Sequence, residues 1–169
     1  ELSRQISELS RQEIAEEAVN EHMQALQKQF YEQWEGRNPW VDDEGKEIRD
    51  YIDIVIKRTE RYRNLVSEYG EDSDSIEYYL KKPVKMTVFS WEGEIDTVLS
   101  PIDSLKYYKK FLHAGFMAMD PHLGQVRAWV GGINHKYFQY DHVKQGTRQP
   151  GSTFKPIVYT AAVANGYSP

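Results

Sequence analysis

The chain changes character at Pro83, and that change limits the fold class. Before it apolar residues recur at helical steps; directly after it they alternate as strand residues do. Residues 1–35 predict one helix. Leu2, Ile6, Leu9, Ile14, Ala18, Val19, Met23, Leu26 and Phe30 recur at three- to five-residue steps between Glu, Gln and Arg. Glu1-Leu2-Ser3-Arg4-Gln5 returns as Glu8-Leu9-Ser10-Arg11-Gln12, a seven-residue period. Two heptads are too few for a coiled coil. An amphipathic helix packing on its own protein is expected, with a small self-association seam as the alternative.

Gly36-Arg37-Asn38-Pro39 breaks that helix. Residues 41–82 are acid-rich and carry a second helical pattern, with Ile48, Tyr51, Ile52, Val55, Ile56, Tyr62 and Leu65 at helical steps. Glu71-Asp72-Ser73-Asp74-Ser75 reads as a polar loop or cap, and Ile76 to Leu80 as a short third helix closed before Pro83. The acidic run is read as a solvated face, docking of a basic partner being the alternative.

After Pro83, Lys85 to Trp91 alternates, Glu92-Gly93 signals a turn, and Glu94 to Leu99 alternates again, which predicts a hairpin. Ser100-Pro101 is an N-cap followed by proline at the first helical position, and Ser104 to His113 continues that helix to Gly115. Phe116 to Asp120 and Gln125 to Val130 are strands around the turn Pro121-His122-Leu123-Gly124, closed by Gly131-Gly132. Residues 137–146 form a polar, aromatic connector. A last helix runs from about Ser152 to Asn165-Gly166, a good C-terminal stop. The fold class expected is α+β: helices first, then two antiparallel strand pairs with two helices. Two regions are expected, a helical interdomain linker or accessory region over residues 1–82 and a catalytic portion over residues 83–169.

A formal net charge of −5 argues against general nucleic-acid binding. The absence of cysteine removes disulfides, thiolate metal sites and cysteine nucleophiles. His22, His113, His122, His135 and His142 match no metal-ligand spacing, and no G-x-x-x-x-G-K-[ST] phosphate loop occurs, so neither metal nor cofactor is expected. No apolar run is long enough to span a bilayer. The sequence starts at Glu1 without methionine, so any targeting or anchoring segment is expected outside these residues. Aromatic residues make up 13%, with 12 Tyr and 4 Trp, which suggests real cores or a surface that packs on a partner.

Chemistry concentrates at Arg148-Gln149-Pro150-Gly151-Ser152-Thr153-Phe154-Lys155-Pro156. A serine hydroxyl needs an adjacent base, and Ser152 and Lys155, three apart at a helix start, lie on one face. Lysine serves as base only when neutral, which needs burial or a nearby positive charge. Thr153 and Phe154 offer partial cover. A helix N-terminus supplies partial positive charge and free N–H groups, so the serine's own N–H could serve a developing oxyanion. Gly151 permits a sharp turn before the nucleophile, and Pro156 costs little in a first turn. A bare S-x-x-K also arises from an N-cap serine beside an exposed lysine. Asp120 and Asp141 are turn or cap residues before they are catalytic carboxylates. Arg148 either orients the loop before Ser152 or lies on the surface, and Tyr137-Phe138-Gln139-Tyr140 either lines a cleft or packs in a core.

The surroundings of Ser152 add Met119-Asp120-Pro121 with Gly124, Val126 to Gly132 ending in Val-Gly-Gly, and Gln145. With the nine-residue stretch, these resemble the opening of the transpeptidase domain of class A penicillin-binding proteins. Three linked motifs in order over residues 116–165 carry the resemblance. Residues 84–115 resemble the segment before that domain, and residues 13–82, more loosely, the helical linker after the glycosyltransferase domain. The resemblance implies a bifunctional peptidoglycan synthase, its glycosyltransferase domain outside these residues. It also implies Ser152 as the nucleophile and Lys155 as the general base of D-Ala-D-Ala acyl transfer between stem peptides. Peptidoglycan stem peptides and β-lactam antibiotics are the implied partners, with other cell-wall synthesis proteins also possible. The implied location is the outer, periplasmic face of a bacterial inner membrane, held by an N-terminal anchor outside these residues.

The departures are as informative. The family's S-x-N and K-T-G motifs do not occur, and residues 1–12 lack its Thr-Thr-Ile-Asp pattern. Residues 1–169 alone are therefore expected to lack appreciable transpeptidase activity. The rival reading is a non-catalytic cell-envelope interaction module in which S-x-x-K is a relic. A weaker third is a β-lactam sensor or β-lactamase relative, against which the linker-like region and the Arg-Gln-Pro-Gly lead-in argue.

Overall fold

A computed structural model describes residues 2–168, with side chains from residue 10 onward. The fold is α+β. Helix α1 (Leu2–Gln33) precedes three short helices, α2 (Tyr51–Ile56), α3 (Glu60–Tyr69) and α4 (Asp74–Lys81). An antiparallel ribbon of β1 (Val84–Ser90) and β2 (Gly93–Leu99) follows, then α5 (Pro101–Lys109). A second antiparallel ribbon joins β3 (Phe116–Met119) and β4 (Val126–Val130). The chain ends in a 3-10 turn (Gly151–Phe154) running directly into α6 (Lys155–Ala164).

The two ribbons form where the alternation places them. In the first, Val88 faces Ile95 and Ser90 faces Gly93. The Ser90 hydroxyl donates to the Gly93 carbonyl at 2.7 Å and closes the turn. In the second, Phe116 faces Val130, and the register shifts after Ala118. Asp120 then organises the turn: one carboxylate oxygen accepts the His122 and Leu123 amides at 2.9 and 3.1 Å, and the other pairs with Arg127 at 3.0 Å. The Arg127 guanidinium, with those two amides, holds the Asp120 carboxyl below the usual carboxylate range.

A two-stranded ribbon leaves outward N–H and C=O groups on each edge, and these need partners. Here side chains supply them. On β1, the Phe89 amide donates to the Tyr108 phenol oxygen at 3.2 Å, and the Tyr107 hydroxyl donates to the Phe89 carbonyl at 2.6 Å. On β4, the Gln12 amide nitrogen donates to the Trp129 carbonyl at 2.9 Å, while its oxygen accepts the Trp129 amide at 2.7 Å. Gln27 repeats the arrangement after α5. Its nitrogen donates to the Lys110 carbonyl at 2.9 Å, and its oxygen accepts the Leu112 amide at 2.8 Å.

These contacts decide which face of α1 is buried. The inward stripe is Gln12, Ala15, Val19, Met23 and Gln27, with Ala15 and Val19 packed on Ala118, Ala128 and Val130. Ile14 and Leu26, expected on the apolar stripe, are 61% and 39% exposed. The helix thus packs on its own protein, as expected, but its seam is set by two glutamines. The heptad repeat falls almost wholly outside the residues whose side chains are described.

Two other expectations change. The pattern spanning Ile48 to Leu65 is not one helix. Ile48 sits in a small hairpin, donating to the Trp40 carbonyl at 3.0 Å, and the helix breaks between α2 and α3. Thr59 is the cause: its hydroxyl closes α2 on the Ile56 carbonyl at 2.6 Å and caps α3 by accepting the Tyr62 amide. The helix from Pro101 stops at Lys109 rather than His113. Continuation would need the Leu112 amide, which Gln27 takes.

Two clusters hold these parts together. Ile56, Ile76 and Leu80 pack with Tyr62, Leu65, Ile102 and Leu105, so α5 is seated on α2–α4. Phe89 centres an aromatic cluster, with ring centroids 5.3 Å from Phe111, 5.5 Å from Phe138 and 5.8 Å from Tyr137. The connector before Ser152 is anchored there, so Tyr137 packs in this cluster, while Phe138 both packs in it and lines a cleft.

His113 lies edge-on to Phe138 at 4.9 Å and stacks flat on His142 at 5.0 Å. Desolvation of this exposed residue's ring by the Phe138 and His142 rings packed on it, reinforced by the His142 and Lys109 charges, pushes its pKa below the ordinary histidine value. A depressed histidine pKa stabilises the fold fully above the unfolded value, about 6.5, and that contribution fades as pH falls toward the folded pKa. The expected NMR titration midpoint of His113 is therefore under about 6.5, with thermal stability declining on the acid side. A midpoint at or above the unfolded value would contradict the stacked arrangement.

Candidate active site

Ser152 and Lys155 lie on one turn at the entrance to α6. Pro150 starts it in helical geometry (φ −64°, ψ −29°), and Gly151 follows at φ +51°, in the left-handed region that glycine adopts without strain. The Thr153 amide donates to the Pro150 carbonyl at 3.1 Å, and its hydroxyl turns back to the same oxygen. The Lys155 amide donates to the Ser152 carbonyl. The serine therefore lies inside a 3-10 turn, and the lysine opens α6, three residues later than the helix start expected at about Ser152. The reason is the Gly151 turn, which tightens the entry. In such a turn side chains three apart eclipse, so the hydroxyl and amine share a face.

Both residues are exposed. Among the described residues no hydrogen bond joins the Ser152 hydroxyl to the Lys155 amine. The cover expected from Thr153 and Phe154 is slight, because the Thr153 hydroxyl is turned to Pro150 and Phe154 is itself 49% exposed. Along α6, Ile157, Val158, Tyr159 and Val163 are 49–62% exposed. Pro156 sits in the first turn, as expected.

The segment before the serine is anchored at one end only. Asp141 and Gln145 build a turn in which the Gln145 amide donates to the Asp141 carbonyl at 2.8 Å and the Tyr140 hydroxyl donates to the Gln145 carbonyl at 2.6 Å. Gly146 to Pro150 are all exposed, and Arg148 lies on the surface. Asp120 lies in the β3–β4 turn and Asp141 in the connector turn, so both carboxylates organise backbone. Hydrogen bonds from the Lys144 amide, then the Trp129 indole and the Val143 amide, hold the Asp141 carboxyl below the usual range despite some desolvation.

A cleft of about 920 Å³ opens between α1, the first ribbon and residues 129–141, lined by Glu13, Glu17, Trp91 and Tyr140 among others. Neither Ser152 nor Lys155 lines it. Among the described residues no group of three or more His, Asp or Glu could hold a metal ion. Among them, too, no helix is long and apolar enough to cross a membrane. Sequence reasoning passed over Gln12 and Gln27, because a polar residue on a helix face carries no signal of the backbone it will meet.

Residues 35–112 match the family model of the penicillin-binding protein middle domain, and residues 95–169 that of the penicillin binding protein transpeptidase domain. The chain is 29% identical to penicillin-binding protein 2D of Bacillus subtilis over 119 residues, which is 70% of this chain and 16% of that relative. It is 47% identical to penicillin-binding protein 1A of Rickettsia typhi over 58 residues, 34% of this chain and 7% of the relative. Penicillin-binding protein 1A of Pseudomonas aeruginosa is 40% identical over 55 residues, 32% of this chain and 7% of the relative. The chain thus spans between 7% and 16% of the length of these relatives. No solved structure matches it.

Proposed function

The chain belongs to the penicillin-binding protein family, and from that premise we propose that it carries the acylating serine of a peptidoglycan D,D-transpeptidase. Residues 1–82 act as the helical linker and accessory region, and residues 83–169 open the transpeptidase domain. The observation that carries the reading is the transpeptidase match over residues 95–169, with Ser152 and Lys155 on one face at the entrance to α6.

Lys155, as the neutral amine, takes the Ser152 hydroxyl proton. The oxygen attacks the carbonyl of the penultimate D-Ala of a stem peptide. The tetrahedral oxyanion is held by the Ser152 N–H, placed at a helix start, where such groups lack intrahelical partners. The C–N bond to the last D-Ala breaks, that D-Ala leaves with the proton, and an ester remains on Ser152. An amine from a second stem then attacks the ester, forms the cross-link and returns the hydroxyl. A β-lactam follows the first half: its ring C–N bond opens, the ring nitrogen takes the proton and the ester persists.

The exposure of Ser152, Lys155 and the apolar side chains of α6 supports a site completed by further protein, which would cover the lysine and lower its pKa. A glycosyltransferase domain and a membrane anchor on the periplasmic side belong to the same reading. In the protein encoded by the complete reading frame, release of D-Ala with cross-linking of a stem-peptide donor to an amine acceptor is expected, and the purified 169-residue chain should release none. The rival reading, an interaction module with a relic S-x-x-K, requires no release from either.

A further inference from the structure

We propose that the side-chain hydrogen bond between Asp141 and Trp129 is a positioning tie for acylation, fixing the last anchored turn before the nucleophile. The inference rests on the reading of Ser152 as that nucleophile. The Asp141 carboxylate divides its work. One oxygen accepts the Val143 and Lys144 amides at 2.9 Å each and builds the turn; the other accepts the Trp129 indole N–H at 2.9 Å and fastens the turn to β4. The His142 amide adds a bond to the Gly131 carbonyl at 2.7 Å.

The neighbouring glycines are small because of this approach. A Cβ on Gly131 would lie 2.7 Å from the Asp141 carboxyl carbon, and one on Gly146 would lie 2.4 Å from the His142 carbonyl oxygen. Space, not backbone freedom, therefore excludes a side chain at Gly131. Beyond Gln145 the chain runs exposed, and the next backbone bond outside the 3-10 turn's own interior is from Thr153 to Pro150. Among the described residues, the Asp141–Gln145 turn is thus the last anchored point before Ser152.

Trp129 is also the residue whose main chain Gln12 clamps from α1. One residue therefore serves two attachments, its backbone holding α1 and its indole holding the turn that leads to the serine. Asp141 is a positioning residue: it acts on the reaction through the loop, without touching the reacting atoms.

The test uses the complete protein and benzylpenicillin, with pre-covalent affinity and acylation rate separated by stopped-flow or quenched kinetics. Asp141→Asn offers one oxygen to two sets of donors, so its NH2 group faces either the indole N–H or the turn amides. Trp129→Phe removes the donor and leaves the turn. Each variant is expected to slow the acylation step on the order of 10-fold, since small misplacements of a reacting group are costly, with pre-covalent affinity unchanged. The double variant should be no slower than the slower single one, because both remove the same bond. Melting temperatures report folding, and Trp129→Phe carries the test alone if Asp141→Asn fails to fold. Wild-type acylation rates in the variants, or effects that multiply, would overturn the tie and leave the Ser152 reading standing. A wild-type protein that is not acylated at all would overturn both.

Discussion

Replacing Lys155 by methionine in the complete protein is expected to slow acylation by benzylpenicillin by about 10²–10⁴-fold, the range a positioned general base contributes. Methionine keeps much of the side chain's reach and its apolar stem but has no amine. Lys155→Arg separates two roles. A guanidinium stays protonated at any accessible pH and cannot take the serine proton, yet it preserves the positive charge. Arginine is therefore expected to rescue nothing. Recovery of the rate with arginine would show that the charge, rather than a free amine, is what the site uses. A wild-type rate in the methionine variant would remove Lys155 from the mechanism.

The second large effect is structural and sits far from the serine. Gln27 is 1% exposed, and its amide satisfies two backbone groups, the Lys110 carbonyl and the Leu112 amide. Gln27→Leu keeps the volume and adds apolar surface, but it strands both groups against a hydrocarbon. Each stranded group costs roughly 1–3 kcal/mol, so a loss of about 2–4 kcal/mol is expected after some relief by water at the half-buried Lys110 and Leu112. Equilibrium unfolding measures the total, and hydrogen exchange locates it. The Leu112 amide should exchange faster than in the wild type, while amides of the β1–β2 ribbon change only with global stability. A variant as stable as the wild type would mean that α1 is not seated as described. Gln27→Glu is a sharper probe, because a carboxylate can still accept from Leu112 but faces the Lys110 carbonyl without a donor.

What was legible in the sequence depended on the range of the interaction that decides each element. The hairpin of Lys85 to Leu99, the turn at Asp120 and the helix start at Ser100-Pro101 rest on signals a few residues long. They stand where the alternation and caps place them: Ser100 accepts the Asp103 amide at 3.1 Å, and Pro101 is the first helical residue. The break at Thr59 was also local, but its cap was hidden inside a continuous run of helical steps. The seam of α1 was not readable. Ile14 and Leu26 look like core residues in any helical projection, yet the partner surface offers unpaired backbone at Trp129, Lys110 and Leu112. An amide side chain meets that surface better than a hydrocarbon can. The early end of α5 follows from the same contact, made between residues 85 apart in the chain, Gln27 and Leu112.

At the candidate site the pattern is similar. The expectation for Ser152 and Lys155 rests on spacing over four residues, and both lie at the turn that opens α6, with Gly151 before them at φ +51°. Cover for the lysine cannot be read from those residues, because it depends on what packs over α6. Asp141 reads in the sequence as a turn residue, which it is. Its second bond, to Trp129, appears only when the connector folds back onto β4, and Gly131 had given the one clue by being a glycine where the strand ends.

The central claim is that Ser152 forms the acyl-enzyme. Intact-mass spectrometry of the complete protein with benzylpenicillin, beside its Ser152→Ala variant, tests it most directly. The account predicts a mass increase of one penicilloyl group, mapped by peptide digestion to Ser152 and absent from the variant. A well-folded wild-type protein with no adduct, or an adduct that persists in Ser152→Ala, would contradict it.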